Sequence, residues 1–114
     1  MSQPSAFAPA QAGRAAPLFA ALGDATRLRL VARLSASGPE SITRLCADGA
    51  VTRQAIRKHL GVLARAGLAE AQKRGRERIW QLNVERLGDA RECIDLISRQ
   101  WDGALARLKD LVER

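Results

Sequence analysis

The chain has 114 residues, room for one compact domain and not for two. With 46% apolar residues, only 4% aromatics and no Tyr, its core has to be built from aliphatic side chains. A net charge of +7 calls for a polyanionic partner, nucleic acid or an anionic surface, and two cysteines are too few for a disulfide framework.

The position of the charge says more than its total. Residues 40–82 hold nine basic and four acidic side chains, a net +5, whereas residues 83–114 hold six and seven, a net −1. The two cysteines suit a reducing compartment. No segment has the unbroken apolar run of a membrane span, and the first residues lack the basic-then-apolar order of a signal peptide. A cytoplasmic protein is expected, with no membrane partner.

Residues 1–13, rich in Ala, Pro, Gln and Ser, are expected to form a disordered arm ahead of a single domain over 14–114. Pro17 sits where a short helix over about 16–22 can start, with Leu18, Phe19 and Leu22 on one face. Gly23 ends it and Asp24 can cap the next helix, Ala25 to Ser35, whose apolar positions are Leu28, Leu30, Val31 and Leu34. Ser37-Gly38-Pro39 is a stop signal. Ser41 can cap a short helix through Cys46 that buries Ile42 and Leu45. After the Asp48-Gly49 turn, Thr52 offers an N-cap for a longer helix, about 52–66, closed by Gly67. Helix, tight glycine-containing turn, helix is the helix-turn-helix order.

Leu68 to Lys73 and Arg78 to Leu82, joined by Arg74-Gly75-Arg76-Glu77, read as a β-hairpin with a basic tip at 73–78. Residues 84–113 then carry Leu87, Ala90, Ile94, Ile97, Trp101, Ala104, Leu108 and Leu111 at alternating spacings of three and four, a heptad seam. A helix of that length, roughly 40 Å, exceeds what one small domain needs, so a second copy is the expected partner. Leu96, Leu105 and Val112 widen the stripe. The fold class is therefore mainly α with a small β-hairpin, a winged helix-turn-helix with a long C-terminal dimerisation helix.

A step of about 100° per residue along the 52–66 helix puts Ile56, Leu60 and Leu63 together as a core face. Gln54, Lys58 and Arg65 lie opposite, with Arg53 and Arg57 on a flank. Arg pairs bidentately with guanine and Gln with adenine in a major groove, so the expected DNA-binding residues of this helix are Thr52, Arg53, Gln54, Arg57, Lys58 and His59. Arg74, Arg76 and Arg78 suit phosphates or a neighbouring minor groove. His59 flanks the core face, where a structural hydrogen bond competes with a phosphate contact from the helix edge. Gly61 is on the exposed side, open either to close approach of DNA or to simple drift. No Cys/His pair, phosphate-binding glycine loop or paired carboxylates suggest an enzyme, and no cofactor is expected.

The stretches LFAALGDATRLRLVARL (18–34), VTRQAIRKHLGVLARAGLAEAQKRGRERIWQLN (51–83) and ISRQWDGALARLKDLVER (97–114) resemble the ArsR/SmtB family of bacterial winged-helix repressors, nearly end to end after residue 16. The resemblance implies a homodimer through the first and last helices, a palindromic operator of double-stranded DNA, and release on an inducer whose identity stays open. Leu18, Leu87, Ile94, Ile97, Trp101, Leu105 and Leu108 are the expected interface residues. Many members of the family sense metals, but the positions of its Cys-x-Cys thiolate pair correspond to Ser41 and Thr43. Its other site, on the terminal helix, needs His that this helix lacks, so no metal is expected. Two alternatives stay open. One is a redox- or persulfide-responsive repressor switched through Cys46 and Cys93, against which stands the reading of both as small buried apolar residues. The other is a protein-interaction module using the long helix.

Overall fold

The computed structural model of the chain describes residues 9–113. These form α1 (Pro9–Leu22), α2 (Ala25–Ser37), β1 (Glu40–Ser41), α3 (Ile42–Leu45), α4 (Arg53–Arg65), β2 (Ala69–Arg74), β3 (Glu77–Leu82) and α5 (Val84–Glu113). The expected arm lies outside the described residues only over 1–8, because residues 9–13 already belong to α1. Two causes extend that helix. Pro9 takes the first helical position, where a missing N–H costs nothing, and the Ala-rich stretch after it has high helix propensity. Packing against α5 then buries Ala15, Leu18 and Ala21 along one face. Pro17 stands inside the helix and deprives the Gly13 carbonyl of its usual donor.

The capping residues fall where the sequence places them. Asp24 accepts from Arg27 N at 3.0 Å, Ser41 from Arg44 N at 3.3 Å and Thr52 from Ala55 N at 3.1 Å, each satisfying an amide that its helix leaves unpaired. Gly38 and Gly67 close α2 and α4 with φ of 79° and 81°, a left-handed conformation that glycine adopts without steric cost. The core gathers Leu18, Leu34, Ile56, Leu60, Leu63 and Leu68 at its centre. Leu28, one of the four apolar positions of α2, is 52% exposed. It lies roughly a third of a turn from the face shared by Leu30, Val31 and Leu34.

The sheet has three antiparallel strands in the order β1-β3-β2, one more than the hairpin alone. Glu40 pairs with Trp80 and Ser41 with Ile79, a strand too short to leave a period-two signal. The hairpin loop is tighter than expected. Arg74 pairs with Glu77, leaving Gly75 (φ 60°) and Arg76 as a two-residue turn in which glycine supplies the positive φ that strand twist requires.

Glu40 ties α2, β1 and α3 together. Its buried carboxylate accepts from Arg33 Nε at 2.8 Å and lies 3.7 Å from Arg44 Nε, while Arg33 Nη2 also donates to the Arg44 carbonyl at 2.8 Å. The Arg33 hydrogen bond holds the Glu40 carboxyl below its ordinary value against the opposing effect of burial. The ionised form is therefore favoured on folding. That stabilisation is complete above the ordinary glutamate value of 4.5 and is lost as the pH falls through the lowered folded one. Glu40→Gln is expected to lower stability by about 1–2 kcal/mol at neutral pH, since Arg33 is partly exposed and re-solvates. In urea melts the gap to wild type should narrow below about pH 4.5. Parallel pH profiles for the two chains would contradict this.

α5, 30 residues and about 45 Å long, projects well past the rest of the fold and gives the chain its elongated extents of 65 × 30 × 19 Å. Within it Ala90 and Leu96 are buried, while Trp101, Leu105, Leu108, Leu111 and Val112 are more than half exposed.

Candidate nucleic-acid interface

α4 is anchored by Ile56, Leu60 and Leu63, each at most 2% exposed. Burying that face forces the opposite one outward, and Thr52, Arg53, Gln54, Arg57 and Lys58 are all exposed. Among the described residues, the side chains of Gln54, Arg57 and Lys58 make no hydrogen bond or ion pair. Arg53 Nη2 donates to Thr43 Oγ1 at 3.0 Å, so α3 steadies the first turn of the helix. Arg74, Arg76 and Arg78 are exposed on the wing.

The structure brings part of this set together. Between α4 and the wing runs a groove of about 690 Å³. Arg53, Arg57 and Gly61 border it from the helix, Lys73, Arg76, Glu77, Arg78 and Trp80 from the wing, and Ser41, Ile42 and Thr43 from the β1–α3 corner. Its lining carries five basic side chains against one acidic one. Gln54, Lys58 and Arg74 lie outside it, on the adjoining surface. A Cβ built on Gly61 would meet only Arg65 Nη1, at 3.7 Å, so nothing inside the chain demands glycine there.

Ile42, Thr43 and Trp80 join this groove without a sequence signal for it. Ile42 reads as a buried position of the short helix, and Thr43 stands out in the sequence only for lacking a thiolate. Trp80 is 8% exposed, and its Nε1 is buried with no hydrogen-bond partner among the described residues. An unmet buried donor costs about 1–3 kcal/mol.

His59 does not join the set. It turns toward α2, with Nδ1 3.8 Å from Asp24 Oδ2 and 3.4 Å from Arg27 Nη1, and Arg27 Nε also donates to the Ala21 carbonyl. His59 thus sits where α1, α2 and α4 meet, the structural one of its two expected roles. The backbone hydrogen bond from Arg27 is the main reason the Asp24 carboxyl lies below its ordinary value, with Arg27 and His59 adding to it.

The other end of α4 is joined to α5. Arg86 donates to the Ala66 carbonyl at 3.4 Å and to Asp89 at 3.0 Å, and its guanidinium lies 3.2 Å from where a Cβ on Gly67 would stand. Of the expected interface residues, Leu18 has to be removed: it is 0% exposed within its own chain and has no surface to offer a partner. Leu87 is half-buried against the same core. Ile94, Ile97, Trp101, Leu105 and Leu108 remain accessible.

The two cysteines are free and lie in different places. Cys46 packs against the core at the end of α3, and Cys93 lines a small cleft with Gln11, Arg14, Ala15, Asp89 and Glu92. The residues at the thiolate positions do not fit a metal, because Ser41 caps α3 and Thr43 accepts from Arg53. Among the described residues no three His, Cys, Asp or Glu side chains gather as a metal site, and no helix is long and apolar enough to cross a membrane.

Residues 22–72 match the model of a helix-turn-helix domain family. The chain is 37% identical over 93 residues to the HTH-type transcriptional regulator Rv2034 of Mycobacterium tuberculosis, covering 82% of this chain and 83% of that one. It is 38% identical over 76 residues to the uncharacterized HTH-type transcriptional regulator YuzN of Bacillus subtilis, covering 61% of this chain and 83% of YuzN. Among solved structures, an ArsR-like transcriptional regulator from Rhodococcus sp. RHA1 superposes with a TM-score of 0.71 at 34% identity, covering 87% of this chain and 92% of that one.

Proposed function

The chain belongs to the ArsR-like family of winged helix-turn-helix proteins and is a DNA-binding transcriptional regulator, and from that premise we propose that it acts as a homodimeric repressor on a two-fold symmetric operator. In this reading α4 enters the major groove. Arg53, Gln54, Arg57 and Lys58 reach base edges and Thr52 lies at the leading end. Arg74, Arg76 and Arg78 hold phosphates or the adjacent minor groove. The observation that carries the reading is the two-sidedness of α4: its apolar face is fully buried, and its basic face is left open beside a basic wing.

The exposed half of α5, from Ile94 through Leu108, is the proposed dimer contact, so that the domain presents its basic surface twice. The reading involves no catalytic step and places the protein with the chromosome in the cytoplasm.

The test is the salt dependence of binding to the DNA upstream of its own gene. Each phosphate contacted contributes about −0.9 to the slope of log K against log salt. Four or more contacts per protomer are expected, hence a slope steeper than about −7 for the dimer. A slope near zero, or equal affinity for unrelated competitor DNA, would refute the reading.

A further inference from the structure

Two kinds of contact hold α4 to the rest of the domain. Its face of Ile56, Leu60 and Leu63 is buried, but aliphatic packing is not directional: it resists withdrawal of the helix more than a small change of its angle. Direction comes from polar contacts. Thr43, which accepts from Arg53, belongs to α3 and so to the same helix-turn-helix unit. At the far end, Arg86 of α5 donates to the Ala66 carbonyl, which on its own would leave α4 free to pivot there. His59, seven residues earlier and about 10 Å along the axis, supplies the second fixed point. Its partner is Arg27, whose planar guanidinium presents Nε to the Ala21 carbonyl in the last turn of α1 and Nη1 to His59 Nδ1 at 3.4 Å. Arginine offers no acceptor, so Nδ1 is the bare nitrogen and the ring is the neutral Nε2–H form. Asp24 Oδ2, 3.8 Å from the same nitrogen, is the alternative partner and requires a proton on Nδ1.

We propose that Arg27 is a positioning residue for DNA recognition: acting through His59, it fixes the angle of α4 against α1 and α5, so that the two recognition helices of a dimer meet two half-sites at once. Arg27 is half-buried and lies outside the basic groove, so it acts only through the helix it braces. α1 packs against α5, which makes the far end of the brace part of the frame that joins the two copies. One recognition helix can settle into its own groove at any angle to that frame. Two helices on one frame cannot, and the gain from engaging both half-sites is lost when the geometry forbids it. The positioning role rests on the dimeric DNA-binding reading above; the Arg27–His59 contact does not.

His59 is the chain's one histidine, so its ring nitrogens are read without assignment. In ¹⁵N spectra of the full-length protein without DNA, at a pH where the ring is fully neutral, Nδ1 is expected to be the bare nitrogen. In Arg27→Leu the proton should move to Nδ1 and face Asp24. An Nδ1–H ring in the wild type, or a ring unaltered in Arg27→Leu, would overturn the contact. Affinity is then measured for the two-fold DNA upstream of the protein's own gene and for the same duplex with one half-site scrambled. Arg27→Leu and His59→Leu should each weaken binding to two half-sites by about tenfold and to one half-site by less than about threefold. The double variant should also lose about tenfold rather than about a hundredfold, because both substitutions break one contact. No loss, equal losses on the two duplexes, or additive losses would overturn the positioning role. A loss of stability alone would lower binding to both duplexes together. If Arg27→Leu does not fold, His59→Leu alone carries the comparison, since leucine is a good helix former at that half-buried position. A wild type that binds both duplexes equally would refute the dimeric reading, and the positioning role with it; the spectra contain no DNA, so failure of the contact is read separately.

Discussion

Replacing Arg57 and Lys58 together by alanine is expected to weaken binding to the specific DNA by about 100-fold or more, because each side chain that reads a base edge is worth about 1–3 kcal/mol. Both side chains are exposed and unpartnered on α4, so their removal leaves no unsatisfied group behind. Neither belongs to the core, and the melting temperature should stay within about a degree or two of wild type, as for other surface substitutions. Binding to unrelated DNA should fall much less, because the wing arginines and the remaining α4 charges still meet phosphates. An unchanged affinity for the specific site would show that α4 is not the reading element. An equal loss on specific and unrelated DNA would show that the two residues serve phosphates only.

Leu105→Glu with Leu108→Glu is expected to convert a dimer into a monomer. Light scattering should fall from twice 12.4 kDa to 12.4 kDa. The two leucines are 54% and 57% exposed in the single chain, so the domain's own core does not depend on them and its circular dichroism should be unchanged. Four added carboxylates in the seam of a pair, two from each helix, have no route to solvent without separating the helices. A linked pair of binding modules gains about 10²–10⁴ over one module, so affinity for the two-fold site should drop by at least about 100-fold. A variant that remains dimeric would move the interface elsewhere.

Much of the architecture is legible in the sequence because each element carries its own boundary chemistry. Thr52 and Gly67 bracket α4, Asp24 and Gly38 bracket α2, and the spacing of Ile56, Leu60 and Leu63 fixes which side of α4 faces in. The differences arise where tertiary packing decides. Leu18 carries the same apolar signal whether it meets its own core or a partner's, and only the packing of α1 against α2, α4 and α5 places it inside. The helical state of residues 9–13 rests on Pro9 at the first helical position and on the alanines after it, a signal that the Pro- and Ser-rich composition of the N-terminus masks. β1 is two residues long, and nothing in Glu40-Ser41 announces a strand until β3 is beside it.

The functional surface is legible in the same uneven way. Arg53, Gln54, Arg57 and Lys58 follow from the helical period alone, and the wing arginines from the hairpin. The groove between them does not, because it depends on how far the hairpin leans toward α4. Its members Ile42, Thr43 and Trp80 look like ordinary interior or corner residues in the sequence. His59 shows the opposite effect: a residue on the recognition helix is drawn to Asp24 and Arg27 of a neighbouring helix.

The most direct test of the central claim is a hydroxyl-radical footprint of the protein on the DNA upstream of its own gene. Two protected blocks are expected, related by two-fold symmetry, with their centres about one helical turn, ~10 base pairs, or a multiple apart. They should disappear at the same protein concentration for the Arg57→Ala, Lys58→Ala chain. A single unsymmetric block, or uniform protection without preferred positions, would contradict a paired recognition helix and wing reading sequence.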